Sequence, residues 1–337
     1  MLQQGLQESN KLRKFSIKDY WKTYQNILGL LGVLLLLIIV FSVIAPNFLT
    51  TSNFIDVLRQ MSMISIIAIG MTMVIITAEI DLSVGSLVAA SSAVLGFLAI
   101  SMNFNIWIAM ILTILLGGVS GYSIGFLRNR YGIPTFITSL GWLSVWRGIA
   151  YLITGGFPLS PFPEGFSFLG SGFIGPIPFV VILMIFLYII FYYVLVKTPF
   201  GRNVYAVGSN IKAAQLSGVP VAKVKTAVFV ITGMLAALAG IILSSRLMSG
   251  NPTVANGWEL DVIAAVIVGG TSLAGGRGSI IGTFLGALFI AVLSNGMVLL
   301  GVSPYLQLVV KGSIIVFAVI LNAVQIYGIK GMQKDIE

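Results

Sequence analysis

The sequence has 337 residues, of which 58% are hydrophobic and 9% are charged, and its formal net charge at pH 7 is +9. Because a soluble domain carries about a quarter charged residues, this composition excludes a water-soluble globular protein and indicates a polytopic membrane protein. Cysteine and histidine are both absent, which excludes disulfides, thiolate or imidazole metal sites and histidine-based acid–base catalysis. The basic excess is typical of the cytoplasmic loops of membrane proteins, so we expect no nucleic-acid partner.

The N-terminal 25 residues are polar and basic, and we expect residues 1–25 to form a cytoplasmic segment. The apolar run that follows, 27–43, is long for a signal-peptide core and lacks a small-x-small cleavage site. It predicts a first span that is retained in the membrane.

A helix needs about 20 apolar residues to cross the hydrocarbon, and ten segments of the chain meet this requirement, although the eighth is short. They predict an all-α, polytopic transmembrane domain, 26–325, followed by a cytoplasmic tail, 326–337. The predicted spans are 26–46, 54–78, 84–101, 106–127, 133–153, 177–196, 226–245, 259–274, 279–300 and 305–325.

The distribution of basic residues indicates the orientation. With the N-terminus inside, fifteen of the nineteen Lys and Arg residues fall in inner segments, whereas the outer loop 154–176 has none. Positive charge accumulates on the cytoplasmic side of membrane proteins. The sequence therefore predicts that both termini are cytoplasmic.

The stretch "TAEIDLSVGS", 77–86, places Glu79 and Asp81 between two apolar runs and follows them with Ser83 and Gly85. A charged side chain at the bilayer centre costs about 2.5–3.5 kcal/mol on insertion scales, so both carboxylates must face protein, water or the inner interface. One interpretation is a turn at the inner surface, in which Asp81 or Ser83 caps the next helix. The other is a broken segment that lines a polar route, and spacing alone leaves both open.

A second concentration of small residues lies in "VGGTSLAGGRGSIIGTFLGA", 268–287. Its small-xxx-small pattern is typical of close helix packing. Another Glu-x-Asp pair, Glu259 and Asp261, precedes the eighth span, where we expect the outer surface. Its similarity to the first pair suggests a two-fold internal repeat of five spans. The glycines that give the stretch backbone freedom are Gly269, Gly270, Gly275, Gly276 and Gly278.

The longest inner loop, 197–225, has five basic residues and no acidic one. Ser209 or Asn210 is a suitable N-cap for a short helix, "IKAAQLSG", which Gly218 and Pro220 would end. A short helix lying along the membrane fits into a groove on another protein. The alternative is a basic loop that only fixes the topology.

Four stretches resemble the permease subunits of ribose-, xylose- and galactoside-type ATP-binding-cassette sugar importers. The segments "GMTMVIITAEIDLSVGSLVA" (70–89) and "WELDVIAAVIVGGTSLAGGRGSIIGTFLGA" (258–287) are similar to that family's two signature stretches. "TPFGRNVYAVGSN" is similar to its approach to the coupling helix, and "NIKAAQLSGV" resembles the coupling helix itself. The resemblance covers about residues 50–325.

The resemblance implies a transport subunit rather than an enzyme, which lies in a bacterial cytoplasmic membrane and moves a monosaccharide inward by alternating access. The implied partners are a second permease copy, an extracytoplasmic sugar-binding protein, and an ATPase that holds ATP and Mg. The chain has no GxxxxGK[ST] loop, and we expect it to bind no cofactor itself.

The resemblance also implies roles for particular residues. The signature group near the moving interface comprises Glu79, Asp81, Ser83, Gly85, Gly269, Gly270, Gly275 and Gly276. The residues that couple the permease to the ATPase are Asn210, Lys212, Ala213, Ala214 and Gly218. Lys212 departs from the family pattern, which usually has an acidic residue before the Ala pair.

A sugar needs no counter-charge, so its path can be neutral. The candidate path residues are Thr138, Ser139, Trp142, Ser294 and Asn295, and each of the polar ones is equally suited to hydrogen bonding between helices. The binding protein is expected to dock on the outer face, at the loop 154–176 with Glu164 and at Glu259 and Asp261.

Three other functions fit parts of the pattern. An ion-coupled secondary transporter would use Glu79 and Asp81 as its ion site, but it gives the short inner helix no role. A nucleoside or amino-acid permease of the same superfamily is a nearer alternative. A membrane-embedded enzyme is disfavoured, because the sequence shows no Ser–Lys or paired-Asp arrangement with intramembrane spacing.

Overall fold

The computed structural model describes residues 17–327, with side chains over 27–320. It confirms the all-α, polytopic architecture. The helices are α1 (Ile17–Ile44), α2 (Thr51–Ile76), α3 (Val84–Gly96), α4 (Ile106–Tyr131), α5 (Thr135–Thr154), α6 (Phe168–Ser171), α7 (Phe179–Lys197), α8 (Pro199–Ser209), α9 (Ile211–Leu216), α10 (Val221–Leu247), α11 (Trp258–Val268), α12 (Ile280–Leu299) and α13 (Pro304–Tyr327). A π-helical turn (Phe97–Ser101) extends α3, and an antiparallel hairpin, β1 (Phe173–Ile174) and β2 (Ile177–Pro178), precedes α7. The predicted segments 1–25 and 326–337 lie largely outside the described residues.

Eight of the described helices are long and apolar enough to cross a membrane, and α11 and α13 match the remaining two predicted spans. The helix α11 has 11 residues and rises only about 16 Å, about half of the hydrocarbon thickness of about 30 Å. The eighth predicted span is thus a helix that is long enough to cross only part of a membrane. The predicted inner loop 197–225 differs from expectation, since most of it is helical.

The helix α2 forms the centre of the bundle. Every residue from Met61 to Ile76 is buried, and α7, α10, α11 and α12 all contact it. An apolar helix in a membrane protein can also face lipid, so the burial of α2 follows from its place among the other helices. Its position explains why Glu79 and Asp81, in the segment that follows it, are buried.

The helices α4 and α10 approach each other through glycine. Gly117 and Gly121 of α4 face Gly233 and Phe229 of α10, and a Cβ at either α4 glycine would overlap the opposite backbone. In lipid no hydrophobic force drives two helices together, so close van der Waals contact has to do so. These glycines provide that contact.

The connection between α10 and α11 turns back into the bundle. Gly250 contacts Gly96 near the end of α3, whereas Ala255 and Glu259 contact Gly85 near its start. Gly85 and Gly96 are about 16 Å apart along the axis of α3. Residues 248–257 therefore run back along α3 by that distance, and we call them the re-entrant segment.

Two ends of the bundle can be distinguished. At the basic end, α2 and α4 finish, α5 and α10 begin, and Arg128 and Lys225 approach Glu79. The loop end is opposite and carries residues 155–178 with the short hairpin.

We predict that Gly121→Ala destabilises the protein, because the new methyl group would overlap the carbonyl of Phe229. Overpacking of this kind costs about 1–3 kcal/mol, which exceeds or offsets the gain of about 1 kcal/mol in helix propensity. The measurement is the thermal unfolding midpoint in detergent. Gly118→Ala is the matched control, since its nearest neighbour is the flexible Met234 side chain at 3.3 Å. Equal midpoints for the two variants would contradict the packing account.

Candidate functional site

Glu79 joins four elements at the basic end. It lies in the connection between α2 and α3 and is 7% exposed. Arg128 at the end of α4 donates a hydrogen bond from Nε to its Oε1 at 3.0 Å. Thr135, the first residue of α5, donates from Oγ1 to its Oε2 at 2.7 Å. Lys225, near the start of α10 and 4% exposed, donates from Nζ to its Oε1.

These donors keep Glu79 charged. Burial raises the pKa of a carboxyl group, because it disfavours the charged form. Hydrogen bonds from Lys225, Thr135 and Arg128, together with the charge of Lys225, outweigh burial and hold the pKa of Glu79 below its ordinary value of 4.5. Both of its oxygens already have donors, an arrangement that does not favour the ion site of a secondary transporter.

Asp81 and Ser83 form a local turn. The Oδ1 atom of Asp81 accepts hydrogen bonds from the backbone N and the Oγ of Ser83, at 2.8 and 2.6 Å. Ser83 occupies the N-cap position of α3, but its side chain makes no capping hydrogen bond. The suggested cap by the Ser83 side chain is therefore absent, because Ser83 already has helical dihedrals, with φ of −79° and ψ of −15°, whereas a capping residue is extended. The interpretation as a turn between two helices is the one that the structure supports.

The two signature stretches come together at the end of α2. The backbone N of Gly276 donates to the carbonyl of Ile76 at 2.8 Å. Gly275 and Gly276 have φ of +84° and +71°, a left-handed conformation that favours glycine. A Cβ at Gly208, in α8, would overlap the same Ile76 carbonyl. The end of α2 thus contacts both α8 and the loop after α11.

The remaining signature glycines have other positions. Gly269 lies directly against the backbone of Gly282 in α12, and it allows α11 and α12 to approach closely. Gly270 follows it with φ of +88° and turns the chain. Gly85 lies against the carboxylate of Glu259, with no room for a side chain.

The helix α9 confirms the predicted short helix of the inner loop. Asn210 accepts a hydrogen bond from the backbone N of Ala213 at 3.0 Å, and Gly218, with φ of +78°, follows the helix. Ala214 is buried against the bundle, whereas Leu216 is 91% exposed. The side chains of Lys212, Ala213 and Gln215 are also exposed. A protruding apolar side chain on a capped helix is suited to docking, and the coupling role of these residues stays a prediction.

Sequence analysis did not identify Arg147, which holds the re-entrant segment. Its Nη1 donates hydrogen bonds to the carbonyls of Pro252 and Val254, both at 2.9 Å. Irregular backbone at membrane depth is tolerated where protein groups satisfy it. Ser92 contributes in the same way, since its Oγ accepts a hydrogen bond from the backbone N of Asn251 at 3.0 Å. The signal in the sequence was a single Arg inside an otherwise apolar span.

The candidate path residues of α5 make contacts within their own helix. The hydroxyls of Thr138 and Ser139 bond to the carbonyls of Pro134 and Phe136. Trp142 stacks on Trp146 of the same helix, with 5.3 Å between the ring centroids. None of these contacts assigns a path, so a path role for these three residues stays a prediction.

The candidate path residues of α12 lie elsewhere. Asn295 exchanges hydrogen bonds of 3.0 and 2.7 Å with Asn53 of α2, so this amide pair joins two helices. Ser294 borders a cavity of about 30 Å³ that Gln60 and Trp258 also line. A cavity of this size holds about one water molecule. The structure therefore does not bring the five candidates into one site.

The predicted outer-surface position of Glu259 and Asp261 is wrong. Because the re-entrant segment carries the chain back along α3, α11 begins well below the loop end. Asp261 pairs there with Lys311 of α13 at 2.9 Å, and the two side chains are 16% and 19% exposed. Glu164 lies in the exposed loop at the loop end, and it is the carboxylate for which docking stays a prediction.

The fold and the site define a polytopic helical membrane protein with a displayed helix at its basic end. A family model described as "Branched-chain amino acid transport system / permease component" matches residues 53–319. The chain therefore belongs to this family and is a permease component rather than an enzyme.

Several proteins of bacterial origin are similar to the chain over most of its length. The probable ABC transporter permease protein YphD of Escherichia coli is 44% identical over 312 residues, which cover 92% of this chain and 93% of the relative. The ribose import permease protein RbsC of Bacillus subtilis is 44% identical, over 87% of this chain and 91% of the relative. The L-arabinose transport system permease protein AraH of Escherichia coli is 37% identical, over 91% of this chain and 92% of the relative. These relatives confirm the resemblance to sugar importer permeases. No solved structure matches the chain.

We predict that Arg147→Leu lowers the free energy of unfolding by about 2 kcal/mol, because it removes the donor of two part-buried carbonyls. Arg147→Lys keeps a charged donor group on a side chain of different length and geometry, and its stability should lie between those of Arg147→Leu and the wild type. The measurement is denaturant unfolding in mixed micelles. A stability of Arg147→Leu equal to that of the wild type would show that the re-entrant segment does not depend on this contact.

Proposed function

We propose that the chain is the permease subunit of an ATP-driven, binding-protein-dependent importer that moves a monosaccharide inward by alternating access. The observation that carries the proposal is the similarity, over most of the chain, to permeases named for ribose import and L-arabinose transport. A partner ATPase would hold ATP and Mg, and an extracytoplasmic binding protein would deliver the sugar.

The family description and the relatives point to different substrates. The description of the family names branched-chain amino acids, whereas the relatives are named for ribose, xylose and L-arabinose. A relative that is 44% identical is a closer guide to the substrate than a family description that has to cover many transporters. We therefore propose a ribose-like pentose, with a branched-chain amino acid as the second candidate.

In the proposed arrangement the basic end faces the cytoplasm, as the positive-inside rule favours, and both termini are cytoplasmic. The exposed helix α9 would insert Leu216 into a groove of the ATPase. At the loop end, the exposed loop with Glu164 would receive the binding protein. A second permease copy would complete the path, with each copy contributing one wall.

The proposal predicts that ribose uptake into liposomes requires the chain, its ATPase, ATP and the binding protein together. Leucine should not be taken up under the same conditions. Uptake that follows an ion gradient without ATP would contradict the ATP-driven mechanism, and uptake of leucine instead of ribose would contradict the substrate.

Leu216→Asp should reduce co-purification of the ATPase at least about tenfold, since burial of one Leu side chain contributes about 1.5–3 kcal/mol. Leu49→Asp is the matched control, because Leu49 is 75% exposed just before α2, at the loop end. Equal loss of the ATPase from both variants would show that α9 is not the docking element.

Orientation can be tested directly, because the chain has no cysteine. A cysteine at Gln215 of α9 should react with a membrane-impermeant maleimide only after the cells are permeabilised. A cysteine at Phe157 of the loop end should react in intact spheroplasts. The reverse pattern would contradict the proposed topology.

A further inference from the structure

We propose that Glu79 is a positioning residue that transmits a displacement of α9 to α5 and the re-entrant segment. The inference rests on the proposed function, because it takes α9 as the element that the ATPase moves. Four observations support it: the connection from α9 to Glu79, the connection from Glu79 to α5, the contact of α5 with the re-entrant segment, and the chemistry of the ion pairs.

The helices on either side of α9, which are α8 and α10, both contact the connection after α2 or the end of α2 itself. After α9, the chain reaches α10 through a short connection in which the backbone N of Val219 donates to the carbonyl of Ala214 at 3.0 Å. Lys225 follows near the start of α10 and bonds to Glu79. Before α9, Gly208 lies directly against the carbonyl of Ile76. A displacement of α9 would therefore act on the α2–α3 connection from two sides.

Glu79 continues this contact to α5. Its carboxylate binds the hydroxyl of Thr135 at 2.7 Å, and the backbone N of Ile80 contacts the same hydroxyl at 3.4 Å. Arg128 fixes the preceding end of α4 to the same carboxylate. The connection between α4 and α5 is thus bound to the end of α2 through side chains.

The far part of α5 holds the re-entrant segment. Arg147 lies 12 positions after Thr135, about 18 Å along the helix axis, and donates to the carbonyls of Pro252 and Val254. An unbroken helix moves largely as a rigid element. Contacts therefore run without interruption from α9 through Lys225, Glu79 and α5 to the segment that precedes α11.

The chemistry of the cluster favours a positioning role over simple stabilisation. A buried ion pair adds little stability compared with apolar side chains of the same size, but removal of one partner is strongly unfavourable. Neither α5 nor α10 can slide past Glu79 without leaving a buried polar group or charge unpaired, because Thr135 and Lys225 are both buried, whereas Arg128 of α4 is 32% exposed. The cluster thus fixes their relative positions and lets them move together.

The test uses the complete importer, with the ATPase and the binding protein, in liposomes, and it measures sugar taken up per ATP hydrolysed. Glu79→Gln and Thr135→Val should lower this ratio at least about fivefold, the lower range of typical coupling between sites, while ATP hydrolysis continues. Thr135→Ser keeps the hydroxyl and should retain the wild-type ratio. Thr113→Val is the matched control, since among the described residues the buried hydroxyl of Thr113 bonds only to Ala109 of its own helix.

An unchanged ratio in assembled Thr135→Val and Glu79→Gln complexes would overturn the inference, and so would an equal fall in Thr113→Val. If Glu79→Gln does not assemble, Thr135→Val against Thr135→Ser decides, because these variants leave the ion pairs in place. A wild-type complex without ATP-dependent uptake would instead overturn the proposed function, a result distinguishable from an unchanged ratio in an active importer.

Discussion

The arrangement of the basic end depends on the two ion pairs that Glu79 forms with Lys225 and Arg128. They place one carboxylate where four elements meet and leave it 7% exposed. A charge in such a position is acceptable only with partners that come from the same protein. The ends of α2 and α4 and the starts of α5 and α10 are therefore fixed relative to one another, and α9 is displayed beside them.

The re-entrant segment is also held by a charged side chain, which is here the positively charged Arg147. The irregular backbone of the segment exposes carbonyls inside the bundle, and Arg147 satisfies two of them. Glycine provides the necessary space, since Gly85 and Gly96 allow the returning chain to lie against α3. The hydrogen bonds of Arg147 and the space beside the two glycines thus permit a break in the helical structure, where a membrane would otherwise require an unbroken helix.

Local patterns predicted the ten helical segments and the short helix α9, with Asn210 as one of two candidates for its cap, because each depends on residues close in sequence. The contacts of Glu79 could not be predicted, since Lys225 is 146 positions away. The depth of Glu259 and Asp261 was mispredicted, because hydropathy reports how apolar a segment is and not how far from the loop end of the bundle its helix begins. Arg147 could have been recognised as a functional candidate from its position inside a span, but its acceptors lie in a segment without a repeating pattern.

The most direct test of this account is the structure of the assembled importer in lipid nanodiscs, determined without nucleotide and with a non-hydrolysable ATP analogue. The account predicts that α9 and the start of α5 move together between the two states, with the contacts of Glu79 to Lys225 and Thr135 kept in both. A displacement of α9 that separates Lys225 from Glu79 while α5 stays in place would contradict it.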